Sequence, residues 1–165
     1  MDTLFGIFTV AQVLALLRIG IGLWWLKSFA HKPHRKFVSG QMANWTLALA
    51  DNHPVPSYGR LIRGIVAPTQ SWFPYLILLG ELAVAIGMIL GLLTPLALVV
   101  AIFLNLNYLS LAGVRPKDIN VNKAYQCEQG QNWTMIVSQL ALLATIPLSG
   151  CTWSLDHLLG VFCGV

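Results

Sequence analysis

Phe73-Pro74-Tyr75-Leu76-Ile77-Leu78-Leu79-Gly80-Glu81-Leu82-Ala83-Val84-Ala85-Ile86-Gly87-Met88-Ile89-Leu90-Gly91-Leu92-Leu93-Thr94-Pro95 is the stretch that decides the fold class. Residues 73–92 carry a single charge, Glu81. A helix of about 20 predominantly apolar residues is long enough to cross ~30 Å of hydrocarbon. Thr94-Pro95 then interrupts the run, and a second apolar stretch follows over 95–113. Proline at the start of a helix forfeits no hydrogen bond, because the first N–H groups have no intrahelical partner. So short a link predicts an antiparallel hairpin of two membrane helices.

Two further apolar stretches flank this hairpin, at about 5–27 and about 132–149. Over the whole chain, 56% of residues are hydrophobic and 10% are charged. A soluble domain carries about 25% charged residues, and a core this apolar leaves too few polar residues to cover a water-exposed surface. The expected class is all-α: an integral membrane four-helix bundle forming one domain over residues 1–165. Met1–Phe5 has no basic region and no small-residue cleavage site follows it, which predicts a retained first helix rather than a signal peptide.

The segment 28–72 mixes Lys32, Arg35, Lys36, Arg60 and Arg63 with Phe37, Met42, Trp45, Leu49, Leu61 and Ile65. A structureless loop of that length is uncommon in a compact domain. Two amphipathic surface helices are expected instead, about 34–50 and 57–66, separated by Asp51-Asn52-His53-Pro54-Val55-Pro56. Nine basic residues lie in or beside the loops after the first and third helices: Lys27, Lys32, Arg35, Lys36, Arg60, Arg63, Arg115, Lys117 and Lys123. The N-terminus, the 93–95 turn and the C-terminal tail carry none. By the positive-inside bias the two long loops, with their amphipathic helices, are cytoplasmic and both termini are non-cytoplasmic. A basic excess confined to loops is not a nucleic-acid signature.

A polar belt crosses the expected spans: Arg18, Glu81, Asn105, Asn107 and Gln139. A charge in the bilayer core costs at least ~2.5 kcal/mol, so such groups face the bundle interior and find partners. The rise of ~1.5 Å per residue puts all five at similar depth. An Arg18–Glu81 ion pair completed by the side-chain amides is the simplest arrangement. Such a layer fits an inter-helix clamp, the edge of a pocket for a quinone-like or other polar-headed lipid, or a proton relay. Gly80, Ala83, Gly87 and Gly91 form a small-residue stripe suited to helix packing.

Trp24, Trp25, Trp72, Tyr75, Tyr108, Trp133 and Trp153 lie near helix ends, as interfacial aromatics do. His31, His34, His53 and His157 are read as surface histidines. Cys127, Cys151 and Cys163 show no C-x-x-C spacing, so neither a zinc nor a thioredoxin-type site is expected, and no metal. Cys151 and Cys163 fall on the expected outer side, where a disulfide or two free thiols would fit. No Ser-His-Asp set or phosphate-binding glycine loop occurs, and Glu81 is the one acidic residue within a span. The absence of broken helices in paired halves argues against a small transporter.

Leu17-Arg18-Ile19-Gly20-Ile21-Gly22-Leu23-Trp24-Trp25, Leu79-Gly80-Glu81-Leu82-Ala83, Leu90-Gly91-Leu92-Leu93-Thr94, Asn105–Gly113 and Gly150-Cys151-Thr152-Trp153-Ser154-Leu155-Asp156 together resemble the DoxX/DoxD family of small membrane proteins. The long first loop is more similar to the DoxD branch, the small subunit of thiosulfate:quinone oxidoreductase. The segment Arg115–Gln131 departs from the pattern. The resemblance implies a four-helix membrane subunit of a quinone-linked redox complex, with Arg18, Glu81 and Asp156 at family positions. It implies no intrinsic cofactor; a quinone, lipid or pigment would be bound. The alternative is a non-catalytic accessory subunit packed into a larger respiratory or photosynthetic complex. Either expectation makes membrane lipids and other membrane subunits the partners.

Overall fold

Thr9-Val10-Ala11-Gln12 begins the first helix. The Gln12 carboxamide oxygen accepts the Thr9 N–H at 2.9 Å, and the Thr9 hydroxyl accepts the Gln12 N–H at 3.3 Å. This reciprocal capping box satisfies two N–H groups left open at a helix start. Helix α1 therefore runs Val10–His31, later at both ends than the expected 5–27. Residues 28–31 contain no breaker, and Pro33 stops the helix only beyond them. Ahead of α1, β1 (Thr3–Leu4) and β2 (Phe8–Thr9) form a two-residue antiparallel ladder. Thr9→Val is expected to cost about 1 kcal/mol, read as faster amide exchange confined to the first turn of α1.

The computed structural model describes residues 3–4, 7–149 and 152–162. Helices follow as α2 (His34–Lys36), a π-helical turn Phe37–Gln41, α3 (Met42–Asp51), α4 (Pro56–Thr69), α5 (Phe73–Leu90), α6 (Thr94–Leu111), α7 (Tyr125–Ser149) and α8 (Leu155–Leu159). The expected surface helix at 34–50 is thus broken, because Gly40 takes φ 119° inside it. Residues 52–55 separate α3 from α4 within the expected turn segment, with Asp51 ending α3 and Pro56 in the first turn of α4. The α5–α6 hairpin also stands where its punctuation puts it.

Helix α7 starts at Tyr125, earlier than the expected 132. Asn122 prepares this start: its amide donates to the Ala112 carbonyl at 2.9 Å, and its side-chain oxygen accepts the Ala124 N–H at 3.2 Å. The added turns contain Gln126, Glu128, Gln129 and Gln131. The protein is mostly helical, and among the described residues three helices, α1, α5 and α6, are long and apolar enough to cross a membrane. Leu79, Leu96 and Phe103 on those helices point outward and exposed, as lipid-facing residues do.

Contacts within the chain group into two units. The first comprises residues 1–30, 80–102 and 137–165, and its buried residues include Ile21, Trp25, Val84, Met88, Leu98 and Leu142. Within it, a Cβ on Gly22 would lie 2.8 Å from the Ile89 nitrogen, so α1 and α5 approach through Gly22. A Cβ on Gly87 would lie 2.9 Å from that of Ala97, which brings α5 and α6 together at the turn end of the hairpin. The second unit comprises residues 31–79 and 103–136. There α3 packs on α4 over Met42, Ala43, Leu49, Ala50 and Val66. Gly59 permits this contact, because a Cβ there would run into the Ala50 carbonyl oxygen.

Candidate functional site

Two charged residues of the first unit, Arg18 and Asp156, come to the α5–α6 turn. Helix α5 ends at Leu90, and Gly91 (φ 64°) and Leu93 (φ 50°) reverse the chain into α6. A reversal this tight leaves the N–H groups at the start of α6 facing outward without intrahelical partners. Asp156 supplies them: one carboxylate oxygen accepts the Leu93 N–H at 2.6 Å and the other accepts the Thr94 N–H at 2.8 Å. The Asp156 backbone N–H in turn donates to the Gly91 carbonyl at 2.9 Å. A carboxylate at a helix N-terminus is also favoured by the helix dipole.

Helix α8 holds Asp156 in place. Ser154 is its N-cap and accepts the His157 N–H at 3.2 Å, while Gly160 closes it in the left-handed conformation (φ 64°). Asp156 is 2% exposed in consequence. Arg18 closes the other side: Nη1 donates to the Met88 carbonyl and Nη2 to the Trp153 carbonyl, both at 2.7 Å. Gly91 lies between these parts; a Cβ there would meet the Ser154 Cβ and come 2.5 Å from Arg18 Nη1. Two side chains of opposite charge thus satisfy main-chain groups from two segments distant in sequence, 88–94 and 153.

The expected Arg18–Glu81 pair does not form. Arg18 reaches α5 at Met88, and the seven residues from Glu81 to Met88 put about 10 Å of helix between them. Glu81 and Gln139 are fully buried in the first unit and each has a polar interaction; Asn105 is fully buried in the second unit and has one too. Asn107 leaves the belt. Two residues turn a helix by about 200°, so it faces outward from Asn105 and its amide donates to its own helix at the Phe103 carbonyl, 2.7 Å away. Of the small-residue stripe, Gly87 and Gly91 sit at close approaches, Gly80 is half-buried and Ala83 is exposed.

His53 is the residue the sequence misplaced. It is 5% exposed, not a surface histidine. Nδ1 lies 3.1 Å from the Val55 nitrogen, which donates to it, and Nε2 lies 3.0 Å from the Ser110 carbonyl oxygen. Nδ1 also lies 3.1 Å from the Val55 carbonyl oxygen. Tyr58 stacks at a tilt on His53, 4.7 Å between centroids, and its hydroxyl is 2.6 Å from that of Ser110. Nothing local in Asp51–Pro56 announces a partner 57 residues away.

His31, His34 and His157 are exposed, and Trp25 is core rather than interfacial. Trp72, Tyr75, Trp133 and Trp153 are exposed. Cys127 is free and exposed; Cys151 and Cys163 lie outside the described residues. No cluster of metal-ligating side chains occurs among the described residues. Comparison with family models, curated proteins and solved structures yields no match.

Proposed function

We propose that this chain is a DoxX/DoxD-like integral membrane subunit of a quinone-linked redox complex, folded as a four-helix membrane bundle with both termini on the non-cytoplasmic side. One observation carries the reading. The motifs through which the chain resembles that family, Leu17–Trp25, Leu90–Thr94 and Trp153–Asp156, are the segments that meet around Arg18, Gly91 and Asp156. Segments far apart in sequence resemble a family together when they build one piece of its fold. The apolar half of α7, from Met135 onward, supplies the fourth crossing, with Gln139 buried within it.

In this reading another subunit receives the electrons. The present chain contributes membrane framework and the buried Glu81 and Gln139, whose hydrogen-bonding groups suit a quinone head or its proton. A second reading, a non-catalytic accessory subunit of a respiratory or photosynthetic complex, is favoured by a specific fact. Arg18 and Asp156 hydrogen-bond main-chain groups of their own fold. Fold-closing charges are what a scaffold subunit needs.

Mild-detergent extraction from native membranes, a native gel and mass spectrometry of the band test both. Migration with flavin- or iron-containing redox subunits supports the first reading, and migration alone with no bound quinone removes it. Glu81→Gln in that complex is expected to lower quinone-dependent turnover by about 100-fold or more, the range for loss of a proton-transfer group. Unchanged turnover in the intact complex leaves the accessory reading.

A further inference from the structure

The second unit contains a cationic cavity that the proposed function does not use. It has a volume of about 170 Å³ between the end of α3, the start of α4 and the loop after α6. Arg60, Arg63 and Lys117 line it, with Asp51 as its one carboxylate and Gly59 and Ala50 in its wall. Asp51 is already engaged: both its oxygens accept from Arg63 Nη1, at 2.5 and 2.6 Å. The hydrogen bond and the charge of Asp51 hold the Arg63 guanidinium above its ordinary pKa. Three cations against one carboxylate leave two positive charges unmatched.

The donors are unmatched as well. Among the described residues, Arg63 Nη2 and Nε, the Arg60 guanidinium and the Lys117 ammonium have no protein acceptor. Arginine offers five N–H donors and lysine three, with no acceptor on either. The cavity also faces the first turn of α4, whose amide dipoles add partial positive charge.

The frame behind these side chains is fixed by main-chain bonds. The Lys117 N–H donates to the Asn52 carbonyl at 2.8 Å, which ties the loop after α6 to the end of α3. His53, buried beneath, ties the α3–α4 turn to the Ser110 carbonyl. Flexible cations on a rigid frame cost less entropy to organise than cations on a mobile loop.

We infer that the cavity between α3, α4 and the Lys117 loop binds a phosphate-class anion through Arg60, Arg63 and Lys117. Planar guanidinium groups match the oxygen spacing of such an anion, and the ammonium adds a point charge. The anion is either the headgroup of an acidic phospholipid or free phosphate, since both present the same oxygens.

The full chain in phosphatidylcholine nanodiscs, titrated with inorganic phosphate and followed by ³¹P NMR, gives the free-anion arm. The same chain in discs doped with phosphatidylglycerol, followed by native mass spectrometry, gives the headgroup arm. One arm is expected to show saturable binding that weakens as salt rises. Arg60→Ala with Lys117→Ala is expected to weaken it by about tenfold or more, and Arg60→Lys with Lys117→Arg to keep most of it. Both side chains are exposed, so neither pair of substitutions touches the core. Saturation in phosphatidylcholine discs assigns free phosphate, whereas selective phosphatidylglycerol retention assigns the headgroup. Absence of saturable binding in both arms overturns the site, as does binding that the double alanine variant leaves unchanged.

Discussion

Asp156→Ala is expected to destabilise the first unit by about 3–5 kcal/mol, since each hydrogen bond to a buried charged group contributes about 1.5–3 kcal/mol. The substitution removes the acceptor from both the Leu93 and Thr94 N–H groups, at a place too buried for water to replace it. It also removes the negative charge that acts on the Arg18 guanidinium. Asp156→Asn is expected to retain about half the effect, because an amide accepts one N–H and turns its own donors on the other. The measurement is the unfolding midpoint in mild detergent, together with amide exchange at residues 93 and 94. Exchange at those two amides that stays slow in the alanine variant would show that the carboxylate does not hold the turn.

Gly91→Ala is the second large effect, and its cause is geometric rather than electrostatic. Positive φ disfavours any side chain with a Cβ, at a cost of about 1 kcal/mol. The new methyl also enters space occupied by the Ser154 Cβ and the Arg18 guanidinium. Overpacking of this kind costs about 1–3 kcal/mol, so a total of about 2–4 kcal/mol is expected. Gly64→Ala supplies the contrast. It lies in α4 with nothing within 4 Å of its Cβ position. Alanine there is expected to be neutral or stabilising by about 0.5–1 kcal/mol. Equal losses at Gly91 and Gly64 in a detergent-unfolding series would remove the case for a glycine-specific junction.

The membrane class was legible because apolar length is a property of a contiguous stretch, as in 73–92. The α5–α6 hairpin was legible because Thr94-Pro95 punctuates it. The start of α1 was written in Thr9-x-x-Gln12, but the apolar Phe5 drew the boundary five residues too early. The Arg18–Glu81 expectation failed for a different reason. Depth along a helix comes from counting residues, whereas the partner of a long side chain depends on helix ends and on azimuth. Moving the end of α1 from Lys27 to His31 shifts Arg18 by about 6 Å relative to that end. Asn107 failed on azimuth alone, a test the 100° step already offered. His53 was beyond reach, since its burial depends on Ser110 from another helix.

Asp156 stabilises a turn that is synthesised 63 residues before it. At roughly 5–20 residues per second, the hairpin's polar N–H groups wait on the order of 3–13 s for their acceptor. Until then Arg18 also lacks the Trp153 carbonyl. An element made later in synthesis therefore completes a junction begun by earlier ones, and a nascent chain halted before residue 153 carries an open turn and a half-satisfied arginine. Closure of one carboxylate over two amides thus distinguishes a chain made past residue 156 from one interrupted before it.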